Sequence, residues 1–193
     1  MLEDSTVVAG ERALPRLRVG AIVALALAAA FVAWLVTRPG PDIKPVAQIA
    51  PVRGAPRLVS AARLRALAAT LGHPLYWAGG RAGMRYELTE AGGSRTYIRY
   101  LPASVKAGDT RARFLAIGTY AEHDALTQTQ AAGARPGAVR LELGGGGIAV
   151  YDPKRPTSVY FAYPASNVQV EVYDPSARIA RLLILTRQVV PIG

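Results

Sequence analysis

The sequence predicts an N-terminal transmembrane helix followed by one α+β domain, in which two or three helices pack on a largely antiparallel sheet. Three observations lead to this prediction. Residues 19–37 contain no charge, many short segments after residue 71 alternate apolar and polar side chains, and the strands do not alternate regularly with helices. The chain of 193 residues has no cysteine, which excludes disulfides, cysteine-ligated metals and thiol catalysis.

Residues 19–37 are predicted to span a membrane as a helix. At 1.5 Å per residue the segment is about 28 Å long, close to the thickness of the hydrocarbon core of a bilayer. The alanines at 28–30 resemble a signal-peptide cleavage site, but the apolar run continues to Val36. We therefore expect an uncleaved anchor whose partner is the lipid bilayer.

Residues 1–18 are predicted to form a short cytoplasmic tail, with the C-terminal domain outside the cell. Basic residues flank the span on both sides, so their number alone scarcely decides the orientation. Long C-terminal domains are translocated with little regard to charge, whereas a short tail with three arginines is difficult to export. The expected localisation is the cell membrane, as a single-pass protein with a cytoplasmic N-terminus.

Residues 38–57 are predicted to be a proline-rich linker, and residues 58–193 the extracytoplasmic α+β domain. The linker contains five prolines, each of which fixes φ and lacks an N–H donor, so neither a helix nor a central strand suits it. The 136 residues that follow are enough for one domain with a core of its own.

Two helices are expected before the last strands of the domain. Ser60 is predicted to cap a helix over 60–71, with Gly72 as its left-handed stop. An alanine-rich helix is predicted over 122–132 and should lie close to the sheet. The acidic residues expected in its first turn are Glu122 and Asp124.

A third helix is expected near the C-terminus. Asp174 is predicted to be its N-cap, with Pro175 at the first helical position, where the missing N–H costs nothing. Its inward side chains are predicted to be Ile179, Leu182 and Leu183. The run LLILT at 182–186 would also suit a strand, which is the alternative for this segment.

The remaining apolar segments predict strands, because their side chains alternate or form short β-rich runs. The glycines at 144–147 lead into another strand and lack a following Lys-Ser, so they indicate a hairpin connection rather than a phosphate-binding loop. The predicted strands are 75–77, 84–90, 96–101, 114–120, 139–143, 148–151, 158–163 and 168–172.

The sequence contains no motif that identifies a reaction. His73 and His123 are the only histidines, they lie 50 residues apart, and neither belongs to a metal-binding motif. No serine lies in a G-x-S-x-G motif. No catalytic residue, metal site or cofactor is therefore predicted.

Tyr76 and Trp77 are the candidate ligand-binding residues. They precede the glycine-rich segment AGGRAG, where small residues would let a ligand approach the aromatic rings. Aromatic residues are also common in strands, so packing in the core is the alternative role for this pair.

Three segments resemble membrane-anchored proteins of GC-rich bacteria that have no assigned activity. The segments are HPLYWAG at 73–79, MRYELTE at 84–90 and YIRYLPASVKAGD at 97–109. This resemblance spans most of residues 71–120 and implies a membrane-anchored protein, but it transfers no catalytic residue.

These features predict a single-pass envelope protein that presents its domain for ligand or partner binding. The alternative is a membrane-tethered enzyme such as a cell-wall hydrolase. From residue 58 onward 16 basic residues face 9 acidic ones, which reflects either GC-rich composition or an anion-binding surface. An envelope protein or an anionic polymer is the expected partner, and nucleic acid is not, because no basic run or nucleic-acid-binding motif is present.

Overall fold

A computed structural model describes residues 54–92 and 95–192. The predicted tail 1–18, the predicted span 19–37 and the linker up to residue 53 lie outside these residues. No helix within the described ranges has the length and apolarity needed to cross a bilayer.

The described residues form ten strands and three helices. Strand β1 begins at Arg57, the last residue of the predicted linker, and Gly54 N–H donates to the Glu90 carbonyl just before it. The elements in chain order are β1 Arg57–Val59, α1 Ala61–Ala68, β2 Leu75–Trp77, β3 Met84–Ala91, β4 Arg95–Pro102, β5 Ala116–Ala121, α2 Ala125–Gly133, β6 Val139–Glu142, β7 Ile148–Tyr151, β8 Ser158–Ala162, β9 Val168–Tyr173, α3 Ala177–Leu185 and β10 Val190–Ile192.

Eight strands form one antiparallel sheet in the order β1-β3-β4-β5-β9-β8-β7-β6. Two runs of consecutive, hairpin-like strands, β3 to β5 and β6 to β9, meet where β5 pairs with β9. Strands β2 and β10 form a separate antiparallel ribbon. The predicted α+β class with a largely antiparallel sheet and two or three helices is confirmed for the described residues.

One face of the large sheet carries the main apolar core. Val168, Val170 and Val172 are buried on this face, as the alternation in β9 predicted. Helices α1 and α3 and the β2–β10 ribbon supply the apolar side chains that complete this core. We call this side of the sheet the core face.

The opposite side, which we call the polar face, is covered by different segments. Helix α2 lies over β7 to β9, where the Gln169 amide donates to the Thr129 hydroxyl at 2.8 Å. The loop between β4 and β5 contacts the other end of this face through Arg85, whose guanidinium donates to the Val105 carbonyl. Both faces of the sheet therefore have buried regions.

The glycine-rich hairpin between β6 and β7 is confirmed. Gly145 and Gly146, in the three-residue loop 144–146, have φ of 79° and 75°, values that residues with a Cβ rarely adopt. Leu143 N–H donates to the Gly147 carbonyl at 2.8 Å and closes the turn.

Helix α1 is shorter than predicted. Ser60 is its N-cap and accepts from Arg63 N–H at 3.1 Å, as expected, but the helix ends at Ala68. The predicted left-handed stop at Gly72 is wrong: Ala69 is a right-handed cap and Gly72 does not have positive φ. The end comes early because the N–H and hydroxyl of Thr70 both donate to the Leu67 carbonyl, which tightens the last turn.

Helix α2 begins later than predicted, at Ala125. Asp124 is its N-cap with φ of 60°, and no acidic residue lies in the first turn, so the predicted place of Glu122 and Asp124 there is wrong. Glu122 instead extends the end of β5, because its N–H donates to the Asn167 carbonyl at 3.0 Å. The expected close packing on the sheet is confirmed by buried Ala125, Thr129 and Ala132.

Helix α3 has a different N-cap and a different inward face from those predicted. Ser176 is the N-cap, and the predicted N-cap Asp174 accepts from Ser176 N–H at 2.8 Å instead. Of the three residues predicted to face inward, only Leu183 is buried, whereas Ile179 and Leu182 are exposed. The buried residues of α3 are Ala180, Leu183 and Ile184, because the small Ala180 allows the helix to approach β8 and β9 closely.

Candidate functional site

The two candidate ligand-binding residues, Tyr76 and Trp77, lie side by side in the β2–β10 ribbon. Trp77 pairs with Val190 and Tyr76 pairs with Pro191. Both side chains belong to the core on the core face of the sheet, with 8% of Tyr76 and 9% of Trp77 exposed. The structure therefore brings the two together, within the packing of the domain.

The rings of Tyr76 and Trp77 contact other aromatic rings edge to face. Trp77 and Tyr86 have centroids 6.0 Å apart, and Tyr76 and Phe161 have centroids 5.7 Å apart. The Arg65 guanidinium carbon lies 5.7 Å from the centre of the Trp77 ring, within range of a cation–π interaction. These contacts hold both rings in the domain itself.

The glycine-rich segment after Trp77 is fixed by tyrosine hydroxyls from the sheet. The Tyr100 hydroxyl accepts from Ala78 N–H at 2.7 Å and donates to the Gly79 carbonyl at 3.1 Å. The Tyr86 hydroxyl accepts from Arg81 N–H at 3.1 Å. Burial raises the pKa of Tyr100 to about 12, so its hydroxyl remains a donor at neutral pH. This segment is therefore bound to the sheet at three points.

A second cluster, which the sequence analysis missed, lies on the polar face. We define the tyrosine–glutamate cluster as Tyr97, Tyr120, Tyr160 and Glu171. The Glu171 carboxylate is fully buried and accepts from the Tyr120 hydroxyl at 2.5 Å and from the Tyr160 hydroxyl at 2.9 Å. The rings of Tyr97 and Tyr120 also contact each other, with centroids 5.8 Å apart.

Strand register explains how residues distant in sequence meet in this cluster. Glu171 lies between Gly118 of β5 and Tyr160 of β8, and Gly118 pairs with Tyr97 of β4 on its other side. A Cβ on Gly118 would lie 2.8 Å from the Tyr120 hydroxyl oxygen. The glycine therefore leaves the space that the Tyr120 side chain needs to reach Glu171.

The tyrosines of this cluster are held in their protonated form. Burial, with further repulsion from the Glu171 carboxylate, raises the pKa of Tyr120 and the pKa of Tyr160 well above the usual range. Burial also raises the pKa of Tyr97. Their hydroxyls accordingly remain protonated over the whole physiological pH range, and those of Tyr120 and Tyr160 donate to Glu171.

A second buried carboxylate, Glu87, lies on the same face but in a different environment. Its Oε1 accepts from the Arg99 guanidinium at 2.8 Å, and its Oε2 accepts from Gly108 N–H at 2.5 Å. Only 1% of Glu87 is exposed. Together the Glu87–Arg99 ion pair and the Glu87–Gly108 hydrogen bond connect β3 and β4 to the loop that follows β4. Glu87 therefore holds that loop against the sheet.

The two buried glutamates lie on strands that are not neighbours in the sheet. Glu87 is on β3 and Glu171 on β9, with β4 and β5 between them, so three strand spacings of about 4.8 Å place their backbones about 14 Å apart. Each carboxylate has its own partners, Arg99 and Gly108 for Glu87 and two tyrosine hydroxyls for Glu171. Within the described ranges no group of three His, Asp or Glu side chains could hold a metal ion. Of the two histidines, His73 is half-buried and His123 is exposed.

A third feature that the sequence analysis missed is an apolar row on the surface of α3. Ile179, Leu182 and Leu185 have 41%, 48% and 54% of their surface exposed. They follow one another at intervals of three residues, so they lie along one side of the helix. We call this row the outward face of α3. The correct helix phase, with Ala180 and Ile184 inward, would have revealed it.

Comparisons with models of protein families, with curated protein sequences and with solved structures find no match to this chain.

Proposed function

We propose that this chain is a single-pass membrane-anchored envelope protein whose extracytoplasmic domain binds a ligand or partner. The observation that carries the binding role is the outward face of α3. The domain buries a full set of aliphatic and aromatic side chains in its core, yet three large aliphatic residues of one helix remain in solvent. Contiguous exposed apolar surface is typical of contact sites.

The anchoring role is supported by residues 19–37. Nineteen uncharged residues match the thickness of a bilayer, and the domain that follows has its own core. The proline-rich linker would join the domain to the span as a semi-extended tether. The alternative of a tethered hydrolase gains no support from the buried carboxylates, because each is already bound within the domain: Glu87 accepts from Arg99 and Gly108, and Glu171 accepts from Tyr120 and Tyr160.

We expect the full chain to remain in the membrane pellet when cell membranes are washed with alkaline carbonate, since an apolar span holds far more strongly than a surface contact. As a control, Leu27→Arg places a charge at the centre of the run, where it opposes insertion by roughly 2.5–3.5 kcal/mol, and should reduce the retained fraction. A soluble wild-type product beginning near Phe31 would show instead that the run is a cleaved signal peptide.

A further inference from the structure

The outward face of α3 belongs to a helix with two apolar sides. Ala180, Leu183 and Ile184 pack against β8 and β9, and on the solvent side Ile179, Leu182 and Leu185 form an exposed row. Because the inward side already completes the core, the outward row is not needed to hold the helix on the sheet.

The charged residues of α3 and of the segment after it are all basic. Arg178 and Arg187 are exposed near the two ends of α3, and Arg181 lies with its guanidinium carbon 5.2 Å from the centre of the Tyr151 ring. Residues 176–193 contain these three arginines and no Asp or Glu. A surface with aliphatic residues between arginines is complementary to a surface that is apolar beneath and anionic above, as a membrane of anionic lipids is.

The predicted tether is long enough to bring this surface to the lipid. Sixteen residues separate the end of the predicted span at residue 37 from the first described residue, Gly54, and an extended chain of that length reaches about 50 Å. Strand β1 is four strand spacings from β9, against which α3 packs, which corresponds to about 19 Å. The tether therefore exceeds the distance across the sheet.

We propose that the outward face of α3 docks on the anionic lipid surface of the membrane that holds the chain. Ile179, Leu182 and Leu185 enter the boundary between headgroups and acyl chains, while Arg178 and Arg187 contact lipid phosphates. This inference rests on the proposed anchoring and adds the partner that the α3 surface recognises. The span and the outward face of α3 belong to one chain, so docking is an intramolecular step with a high effective concentration. The two contacts together would hold the domain against the bilayer.

The test uses the full chain, reconstituted in vesicles of neutral phosphatidylcholine with or without anionic phosphatidylglycerol. The chain lacks cysteine, so Leu182→Cys provides one site for an environment-sensitive NBD dye. Gln130→Cys, on the exposed side of α2 above the opposite face of the sheet, is the matched control. Arg178→Glu with Arg187→Glu in the Leu182→Cys chain tests the charge requirement.

We expect the dye at 182 to shift to shorter wavelength and to be quenched by headgroup-labelled nitroxide lipid in anionic vesicles. The dye at 130 should remain water-like. The double arginine variant and added salt should reverse most of the change at 182, because both weaken attraction to anionic lipid. A water-like signal at 182 in anionic vesicles would overturn the docking proposal.

Two further results would also overturn it. A shift at 182 that depends on the number of chains per vesicle and not on lipid charge would identify a second copy of the chain as the occupant. An equal shift in neutral vesicles, unaffected by the arginine variant, would remove the anionic surface as the partner. Retention of the labelled chain by the vesicles after a carbonate wash is measured in each sample, so loss of anchoring is distinguished from loss of docking.

Discussion

Replacement of Arg99 by methionine is expected to lower the free energy of unfolding by about 3–5 kcal/mol, since it leaves a buried carboxylate without its cation. The Arg99 guanidinium lies 2.8 Å from Oε1 of Glu87, whose side chain is fully buried. Methionine retains much of the apolar stem, so the loss reports on the charge more than on packing. Urea unfolding of the full chain in detergent micelles, followed by near-ultraviolet circular dichroism, measures the change.

Arg140→Met is the matched control for this experiment. Arg140 and Glu142 have the same nitrogen–oxygen distance of 2.8 Å, but both side chains are exposed. Exposed ion pairs contribute about 0–1 kcal/mol, so the control should change stability by no more than this amount. Equal, small effects of the two substitutions would contradict the assigned role of Glu87 and Arg99.

Trp77→Ala is expected to cost about 3–5 kcal/mol of unfolding free energy, because the indole is buried against Tyr86 and under Arg65. The same urea titration in micelles measures it, with ellipticity in the far ultraviolet as the signal because the indole itself is removed. Met84→Ala, at an exposed apolar position at the start of β3, provides the control and should change stability by about 0.5 kcal/mol or less. A change in unfolding free energy close to zero for Trp77→Ala would contradict the packing role. It would support the alternative that Tyr76 and Trp77 bind a ligand.

Local sequence patterns predicted the strands of the large sheet that are four or more residues long. Alternation in Val168–Tyr173 is an example, since three valines at every second position can only share one face. Strands β1 and β10 were not predicted, because β1 begins in the proline-rich linker, directly after Pro56, and β10 contains Pro191, and proline disfavours a strand. Their pairing with β3 and β2 is decided by tertiary contacts far along the chain.

The tyrosine–glutamate cluster could not be predicted from the sequence, for a related reason. Glu171 alternates with valines in β9, a pattern that equally describes a strand with one face in water. Tyr120 and Tyr160 lie 51 and 11 residues before it, so their meeting depends on the register of β5, β9 and β8. Only the packed structure shows that the polar face is covered at this point.

The phase of α3 was mistaken because it contains more aliphatic residues than one face of a helix needs. Four consecutive residues, 182–185, are apolar, so the sequence allows several inward stripes. The small side chain of Ala180 selects among them, since close approach to β8 and β9 is possible there. The choice leaves Leu182 and Leu185 in solvent, which is the basis of the binding proposal.

The orientation of the chain in the membrane is the most direct test of the proposed function. Single cysteines are introduced at Ser5, in the predicted tail, and at Gln130, on the exposed side of α2, in a chain that has no other cysteine. Intact cells are treated with a membrane-impermeant maleimide before and after permeabilisation. We expect the cysteine at 130 to react in intact cells and the cysteine at 5 to react only after permeabilisation. Reaction at 5 and protection at 130 in intact cells would place the domain in the cytoplasm and contradict the proposed function.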